Sequence, residues 1–206
     1  MCPSYLCADP KFANNPEKFA RKIEAIERAS SRIGKIVGGL KQFSRSSGKL
    51  EYKQCLLSEI VQEALVLTEA KSKLNDILVN FDFYSESPIL CDQVEIEQVL
   101  INLLNNGIDA VKKQDVRWVR IEITEDSQSV VLRVIDSGSG IPENVRARLF
   151  DPFFTTKAVG EGTGLGLSIT KGILDEHKAS ISVLADRPNT CFEIRFPRVE
   201  SMKNAA

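Results

Sequence analysis

The sequence predicts an α+β protein, a two-layer α/β sandwich with one mixed sheet, preceded by a long amphipathic α-helix. Apolar residues recur at helical spacing near the start of the chain. Further along, strand-like and helical segments follow one another without strict alternation, which favours a mixed or mostly antiparallel sheet. The length of 206 residues and the hydrophobic content of 43% allow a real hydrophobic core.

The predicted first helix covers residues 16–46 and is called the arm below. Asn15 supplies a capping residue and Pro16 occupies the first helical position. The apolar face of the arm consists of Phe19, Ile23, Ile26, Ala29, Ile33, Val37, Leu40 and Phe43. A face this long needs a partner, either an upstream helix of the same protein or a second copy of the chain. The alternative is a bend at Gly38-Gly39 that folds the arm back on its own body.

Charge divides the chain at the same place. Residues 11–53 hold eleven Lys and Arg against four Asp and Glu, a net charge of +7, whereas the remainder carries −8. A basic arm on an acidic body indicates two units, although a solvated lysine-rich helix is the commoner meaning of such a run. Residues 1–15 are predicted to be irregular, 47–57 to form a linker and 201–206 a tail.

The remaining unit, called the body, is predicted to span residues 58–200. Helix starts are indicated by Ser58 and by Asp92, which has capping-box spacing to Glu95. The strands are predicted from alternation of apolar and polar residues. In order, the predicted elements are a helix at 58–74, strands at 77–83 and 89–91, a helix from 92 to about 113, strands at about 117–124 and 129–136, a helix at about 165–177, and strands at about 179–185 and 190–197.

Composition disfavours several classes of protein. No run of about 18 apolar residues occurs, and no basic segment after Met1 leads into an apolar stretch, so neither a membrane span nor a signal peptide is predicted. The five cysteines lack CxxC spacing, which favours reduced thiols in a cytoplasmic compartment over disulfides or a zinc site. Phe19 and Phe43 fall on the apolar face of the arm, so its basic charge does not indicate nucleic-acid binding. Whether a longer parent protein is anchored in a membrane is left open.

Two asparagines, Asn102 and Asn106, lie four residues apart on the predicted central helix and therefore share a face. Apolar residues flank both of them, which places their amide oxygens at the margin of a buried face. Neutral oxygens of this kind suit a hard cation that is also held by phosphates. Taken alone, such a pair more often makes only local hydrogen bonds.

The string Asp136-Ser137-Gly138-Ser139-Gly140-Ile141 directly follows an apolar strand. A carboxylate at a strand end, beside two glycines, meets backbone that a flat ligand can approach closely. Because a carboxylate accepts from an exocyclic amine, adenine is a natural partner. The commoner meaning of such a string alone is a turn built on Asp and Gly.

The segment from Phe150 to Lys157 contains three phenylalanines around a proline and has no periodicity. We predict that aromatic packing anchors one end of it, which leaves the Lys157 ammonium on a mobile part within reach of a phosphate. Simple anchoring of a loop is the alternative.

Gly160, Gly162, Gly164 and Gly166 lead straight into the last predicted helix. Glycines let successive backbone N–H groups turn toward one anion at a helix N-terminus, so the run predicts a phosphate cradle. It is neither the dinucleotide fingerprint, which follows a strand, nor a Walker A loop, which contains Gly-Lys-Ser/Thr. A flexible hinge is the alternative for any one of these glycines.

Taken in order, NLLNNGIDA, DSGSGI, FDPFFTTK and GTGLGLSI resemble the N, G1, F and G2 boxes of the sensor histidine kinases of bacterial two-component systems. These kinases belong to a superfamily that also contains DNA gyrase, the MutL mismatch-repair ATPases and heat-shock chaperones. The resemblance covers about residues 58–197 and implies the Bergerat ATP-binding fold. The arm is similar to the second helix of the family's dimerisation and phosphoacceptor hairpin.

The resemblance implies a site for ATP and Mg²⁺. Asn102 and Asn106 would hold the metal, Asp136 would bind the adenine amine, and Lys157 would lie on a lid over the nucleotide; the two asparagines and the lysine are the implied catalytic residues. The implied ATP-binding residues are Asn106, Asp109, Asp136, Gly138, Gly140, Ile141, Thr156, Lys157, Gly162, Thr163, Gly164, Leu165, Gly166, Leu167 and Thr190.

The chain departs from the family pattern in ways that bear on function. Hydrolysing relatives carry a glutamate four residues before the metal-binding asparagine, where this chain has Asn102, so the resemblance implies phosphoryl transfer rather than hydrolysis. Sensor kinases phosphorylate a histidine on the first hairpin helix. The only histidine here, His177, ends the last helix of the body, where a capping role is expected. Gly107 stands where the family usually has alanine, and Lys178-Ala179 stands where a glycine pair is common.

We therefore predict the ATP-binding catalytic portion of a sensor histidine kinase. It would transfer the γ-phosphoryl group of ATP to a histidine outside this chain, for relay to a response regulator, and would not phosphorylate itself. The expected partners are ATP, the histidine-bearing helix, the response regulator and a second copy bound through residues 16–46. Two alternatives remain open: a non-catalytic, nucleotide-gated dimerisation module and a gyrase-like or MutL-like ATPase.

Overall fold

A computed structural model describes residues 20–27, 29–30, 34, 50–158 and 162–199 of the protein. The described residues of the arm are helical, as their periodicity predicts, and all of them are exposed. Because Ile26 is 63% exposed, this part of the arm does not fold back on the body. The predicted irregular segment 1–15, the tail 201–206 and both ends of the arm lie outside the described residues.

The linker predicted at 47–57 contains a strand that the sequence does not predict. This strand, β1 (Lys53–Cys55), pairs antiparallel with β3 (Ile89–Cys91) in a two-stranded sheet. Cys55 is buried, and the other two residues of β1 are exposed. A strand with a single buried position is too short for alternation to be recognised.

The main sheet has five strands and is mixed, as predicted. They are β2 (Leu78–Phe83), β4 (Trp118–Glu125), β5 (Ser129–Asp136), β6 (Ser180–Val183) and β7 (Thr190–Pro197). Their spatial order is β2-β4-β5-β7-β6. β2 runs parallel to β4, and each of the other neighbouring pairs is antiparallel.

In the described part of the body, three helices cover one face of this sheet: α1 (Leu57–Leu74), α2 (Gln93–Val111) and α4 (Gly166–Glu176). A single helical turn, α3 (Glu143–Arg146), precedes α4 and has no buried residue. α2 packs between α1 and α4 and rests on β4 and β5. On β4, Val119 and Ile121 are buried whereas Arg120 between them is exposed, which confirms the two-layer sandwich. None of the described helices is long and apolar enough to cross a membrane.

The two predicted helix caps have different outcomes. Asp92 caps α2, and its Oδ1 accepts two N–H groups of the first turn at 3.1 and 3.3 Å. The prediction that Ser58 caps α1 is wrong, because Leu56 is the N-cap residue and makes no side-chain cap bond. The helix starts one residue earlier than predicted because Leu57 is buried in the core.

The Asp92→Ala variant is expected to lose about 1–2 kcal/mol of unfolding free energy, since the cap of α2 disappears. The other carboxylate oxygen also accepts the Glu51 N–H at 3.1 Å, which places the loss at the upper end of that range. Ser58→Ala is the matched control and should change stability by less than about 0.5 kcal/mol. Urea unfolding of both variants checks this, and equal losses would contradict the assignment of the two caps.

His177 has the capping role that its position predicts. It is the C-cap residue of α4, it is buried, and its Nδ1 lies 2.7 Å from the Ile173 carbonyl oxygen. Its Nε2 accepts the Asp92 N–H at 3.0 Å, which leaves the proton of a neutral imidazole on Nδ1. A capping box would instead have paired the Asp92 N–H with Glu95. His177 therefore joins the end of α4 to the start of α2.

The three cysteines in the described residues are all buried and free. Cys55 and Cys91 lie on the two strands of the small sheet, and Cys191 lies on β7. Burial raises the pKa of the Cys191 thiol to about 11. All three described cysteines are free thiols, in agreement with the reduced state that the cysteine pattern predicts.

Candidate functional site

The four sequence motifs converge on the same stretch of α2. The Asn102 amide donates to the carbonyl of the first residue of α4 at 3.3 Å. The Lys157 ammonium lies 3.4 Å from Asn106 Oδ1. A Cβ at Gly107, the residue after Asn106, would lie 3.5 Å from the Asp136 Cβ. The residues that the sequence singles out are therefore neighbours in the fold.

Asp136 ends β5 and places a carboxylate inside the site. The residue is only 4% exposed, and its Oδ1 accepts the Gly138 N–H at 2.8 Å. Thr190 lies opposite on β7, in register with Asp136. Burial raises the pKa of the Asp136 carboxyl to about 6, although the bonds from Gly138 and Thr190 favour the charged form. This carboxylate retains acceptor capacity for a ligand amine.

The glycines after Asp136 are required by close approach and by backbone conformation. A Cβ at Gly138 would lie 2.6 Å from Asp136 Oδ1 and 3.1 Å from the Thr190 hydroxyl oxygen. Gly140 has a φ of +83°, a left-handed conformation that side-chain-bearing residues rarely adopt. Ile141 follows and packs, half-buried, against the core.

The two asparagines share a face of α2, as predicted, but they have different partners. Asn102 is tied to α4: its amide donates to the Gly166 carbonyl at 3.3 Å and to the Thr170 hydroxyl at 3.4 Å. Its oxygen accepts from the Gln98 amide at 3.0 Å. The Asn106 oxygen instead faces the Lys157 ammonium. Their metal-binding roles remain predictions.

The carboxylate of Asp109 forms ion pairs with three lysines from separate parts of the body. Its Oδ2 lies 2.7 Å from the Lys157 ammonium. Its Oδ1 lies 3.0 Å from the Lys71 ammonium, on α1, and 3.6 Å from that of Lys112, which follows α2. Burial alone would raise the pKa of Asp109, but hydrogen bonds from Lys157 and Lys71 bring it below its usual value. We call these four residues the lysine cluster.

A backbone contact fixes the middle of the phenylalanine-rich segment. Phe153 is 60% exposed and takes no part in the predicted aromatic anchor, whereas Phe150 and Phe154 are half-buried. Its N–H donates to the Gly164 carbonyl at 2.9 Å, and a Cβ at Gly164 would lie 2.3 Å from the Phe153 carbonyl carbon. The Arg148 guanidinium lies over the Phe154 ring, 4.7 Å from the centroid of that ring. Thr156, the residue before Lys157, is exposed.

The glycine run approaches the lysine segment before it enters α4. A Cβ at Gly162 would lie 2.7 Å from the Thr155 hydroxyl oxygen and 3.3 Å from the Lys157 side chain. The Thr163 hydroxyl accepts the Leu165 N–H at 3.3 Å. Helix α4 then begins at Gly166, with Leu165 buried and Leu167 packed on the core. Gly160 lies outside the described residues.

The family model for histidine kinase-, DNA gyrase B- and HSP90-like ATPases matches residues 91–200, more than half of the chain. The chain belongs to this ATPase family. The matched range contains all four motifs, so the recognition drawn from the N, G1, F and G2 boxes is confirmed.

Two curated relatives of this ATPase-family chain are kinases by name, and one of them is named as a histidine kinase. Sporulation kinase A of Bacillus subtilis is 35% identical over 170 residues, which cover 82% of this chain and 27% of that protein. The signal transduction histidine-protein kinase AtoS of Escherichia coli is 35% identical over 166 residues, which cover 78% of this chain and 26% of that protein. The chain thus spans about a quarter of the length of these relatives.

Solved structures give the same assignment. The catalytic domain of histidine kinase ThkA matches with a TM-score of 0.64 and 34% identity over 72% of this chain and 99% of that one. ThkA in complex with the response regulator TrrA matches with a TM-score of 0.71 and 31% identity, over 91% of this chain and 53% of that one. The body is therefore the ATP-binding catalytic domain of a sensor histidine kinase.

The donor set of this histidine kinase domain fits a magnesium ion. The Lys157 ammonium, a resident cation, lies between the amide oxygen of Asn106 and the carboxylate of Asp109. The amide oxygen of Asn106 is a hard ligand, which Mg²⁺ accepts in combination with phosphate oxygens. The side chain of Asn106 is thus available to a cation, whereas that of Asn102 is engaged by Gln98 and α4.

Sequence reasoning missed two residues of this kinase domain, Lys71 and Lys112. Lys71 lies on α1, outside all four motifs, and reaches α2 only because the two helices pack together. Lys112 lies three residues after Asp109, a helical spacing that was the one signal available for it.

Proposed function

We propose that this domain binds ATP with Mg²⁺ and transfers the γ-phosphoryl group to a histidine that this chain does not contain, from which it passes to a response regulator. The observation that carries the proposal is the buried carboxylate of Asp136, held by the Gly138 N–H beside a position that has no room for a Cβ. Such a carboxylate would accept the exocyclic amine of adenine, and the glycine backbone would allow the flat ring to approach.

In the proposed complex the phosphates lie between Asn106 and the start of α4. Lys157 would place its ammonium on the outer phosphates and neutralise the charge that develops there during transfer. Backbone N–H groups of the glycine run would bind the phosphate oxygens, aided by the dipole of α4. When bound at Asn106, Mg²⁺ would supply further neutralisation of the β- and γ-phosphates.

The transfer is a substitution at the γ-phosphorus. An imidazole nitrogen of the acceptor forms a bond to phosphorus, the bond to the β-phosphate oxygen breaks, and the leaving group is ADP. The acceptor ring loses its N–H proton to solvent. Asn102 stands where hydrolysing relatives have a glutamate, and its amide oxygen is too weak a base to activate water, which favours transfer over hydrolysis.

The acceptor has to come from outside the body. His177 is the only histidine of the chain, its side chain is 0% exposed, and both ring nitrogens are engaged. Phosphorylation of either nitrogen would break one of these hydrogen bonds. The proposed partner on the arm is a second copy of the chain, since Ile23 and Ile26 lie exposed on its apolar face; sedimentation equilibrium of the full chain tests this.

The test is phosphoryl transfer in trans. The purified chain is incubated with radiolabelled ATP, Mg²⁺ and a sensor-kinase helical hairpin that carries its phosphoacceptor histidine. We expect acid-labile, base-stable phosphate on the hairpin and none on His177, with the Asp136→Asn variant as the inactive control. Steady phosphate release without labelling of the hairpin would favour a gyrase-like ATPase. ATP binding with neither labelling nor release would favour a non-catalytic module.

A further inference from the structure

The lysine cluster holds more positive charge than its one carboxylate can neutralise. Three ammonium groups, of Lys71, Lys112 and Lys157, lie within 3.6 Å of the Asp109 carboxylate. The four side chains therefore carry a net charge of +2 beside Asn106. Asp109 is 20% exposed and the lysines are about one-third exposed, so water screens these charges only in part.

We propose that Asp109 is a positioning residue that holds the Lys157 ammonium beside Asn106 until a triphosphate binds that ammonium. Lys71 and Lys112 then keep the Asp109 carboxylate paired. The inference rests on the proposed function, because the triphosphate is the ligand of that same site. It adds Lys71, which belongs to none of the sequence motifs, to the residues that set ATP affinity.

Asp109 and a bound triphosphate compete for one ammonium group, that of Lys157. Lys157 donates to Asp109 Oδ2 at 2.7 Å and to Asn106 Oδ1 at 3.4 Å. A triphosphate offers the same ammonium several anionic oxygens, so the carboxylate and the phosphates compete for it. The contact of Phe153 with Gly164 lies four residues before Lys157, and the exchange is taken to be a movement of the Lys157 side chain.

The two remaining lysines lower the cost of this exchange. A half-buried carboxylate that loses its only partner is strongly destabilised. Asp109 keeps Lys71 at 3.0 Å and Lys112 at 3.6 Å when Lys157 leaves. No unpaired charge is created, and the phosphates gain a positive partner.

Lys71 is fixed more firmly than an ordinary surface lysine. Besides Asp109, its ammonium donates to the Asn105 side-chain oxygen at 2.9 Å and to the Asn105 carbonyl at 3.3 Å. Three acceptors match the three N–H donors of an ammonium group. Lys71 therefore stays on Asp109 while Lys157 is exchanged.

The first test compares Asp109→Asn with the unsubstituted chain. ATP affinity in the presence of Mg²⁺ is measured by calorimetry, and AMP affinity, which involves none of the outer phosphates, by NMR titration. We expect Asp109→Asn to bind ATP about fivefold more tightly, the effect of losing one half-exposed ion pair, with less than a twofold change for AMP. Because the gain runs through Lys157, it should disappear when Asp109→Asn is combined with Lys157→Met.

The second test uses Lys71→Met with Lys73→Met as its matched control. Both variants remove one positive charge from α1, but Lys73 pairs with Glu69 and not with Asp109. Lys71→Met should weaken ATP binding about threefold relative to Lys73→Met, because Asp109 then relies more on Lys157. In the Asp109→Asn background the two lysine variants should have equal ATP affinities.

The outcomes separate this inference from the proposed function. If the unsubstituted chain binds no ATP, both are overturned. If it binds ATP but Asp109→Asn alters ATP and AMP affinities by the same factor, only the inference is overturned. The same holds if the gain persists without Lys157, since a general change in electrostatic field would then explain it.

Discussion

The Asp136→Asn variant is expected to lose ATP binding, with a decrease in affinity of about 100-fold or more. The carboxylate accepts the proposed bond from the adenine amine with a full negative charge, and a charge-assisted hydrogen bond in a buried site contributes on the order of 3 kcal/mol. An asparagine in the same place offers a weaker oxygen or a repelling NH₂ group. Calorimetry with ATP and Mg²⁺ measures the loss.

The same variant is expected to fold more stably than the unsubstituted protein at pH 8. Burial raises the pKa of Asp136 to about 6, so the folded state holds an unfavourable charge above that pH. Removing the charge should raise the free energy of unfolding by on the order of 2 kcal/mol, as measured in urea. Loss of binding with unchanged or higher stability excludes misfolding as the cause. Tight ATP binding by this variant would contradict the assignment of the adenine site.

ATP affinity of the unsubstituted protein should depend on pH in a defined direction. Asp136 is charged above its pKa of about 6 and protonated below it. Binding through the carboxylate should therefore weaken as the pH falls through 6. The residual, weakened binding of Asp136→Asn should change less over this pH range, because only the phosphates of ATP then titrate.

The Gly164→Ala variant is expected to detach the phenylalanine-rich segment from the start of α4. The added Cβ would lie 2.3 Å from the Phe153 carbonyl carbon, and Gly164 has a φ of +67°. Left-handed backbone costs a side-chain-bearing residue roughly 1–2 kcal/mol even without a clash. Because Lys157 lies on the same segment, we expect ATP affinity to fall at least about tenfold, the contribution of one strong phosphate contact.

Gly172→Ala provides a control inside α4, the helix that follows Gly164. Nothing in the described structure lies within 4 Å of a Cβ at Gly172, so the added methyl group meets open space. It should leave ATP affinity unchanged and raise stability by about 1 kcal/mol through helix propensity. Hydrogen exchange of the Phe153 amide, which bonds to the Gly164 carbonyl, follows the detachment directly. An amide that stays protected in Gly164→Ala would contradict the predicted role of this contact.

The longer elements of the fold could be predicted because their signals are local. The helix predicted at 92 to about 113 is observed as Gln93–Val111, and the one predicted at 165–177 as Gly166–Glu176. The apolar face and the capping residue that predict a helix lie close together in the sequence. β1 and the four-residue α3 were missed, because a three-residue strand depends on its partner strand and one helical turn has no periodicity.

The candidate site likewise contains some residues that the sequence predicts and others that it does not. Its glycines and Asp136 were predictable, since contiguous motifs contain them. The exposure of Phe153 could not be predicted, because composition does not show that this residue adopts a φ of +66° and contacts Gly164 through its backbone. Lys71 could not be predicted, because its proximity to Asp109 arises only when α1 packs against α2.

The buried cysteines can report local opening of the two sheets. Cys55 and Cys91 close the small sheet beside the linker, whereas Cys191 lies next to Thr190 in the main sheet. A thiol reagent reaches each of them only when the surrounding sheet opens. Brief alkylation followed by peptide mass spectrometry would therefore time the loosening of the linker attachment and of the adenine pocket separately, without an introduced label.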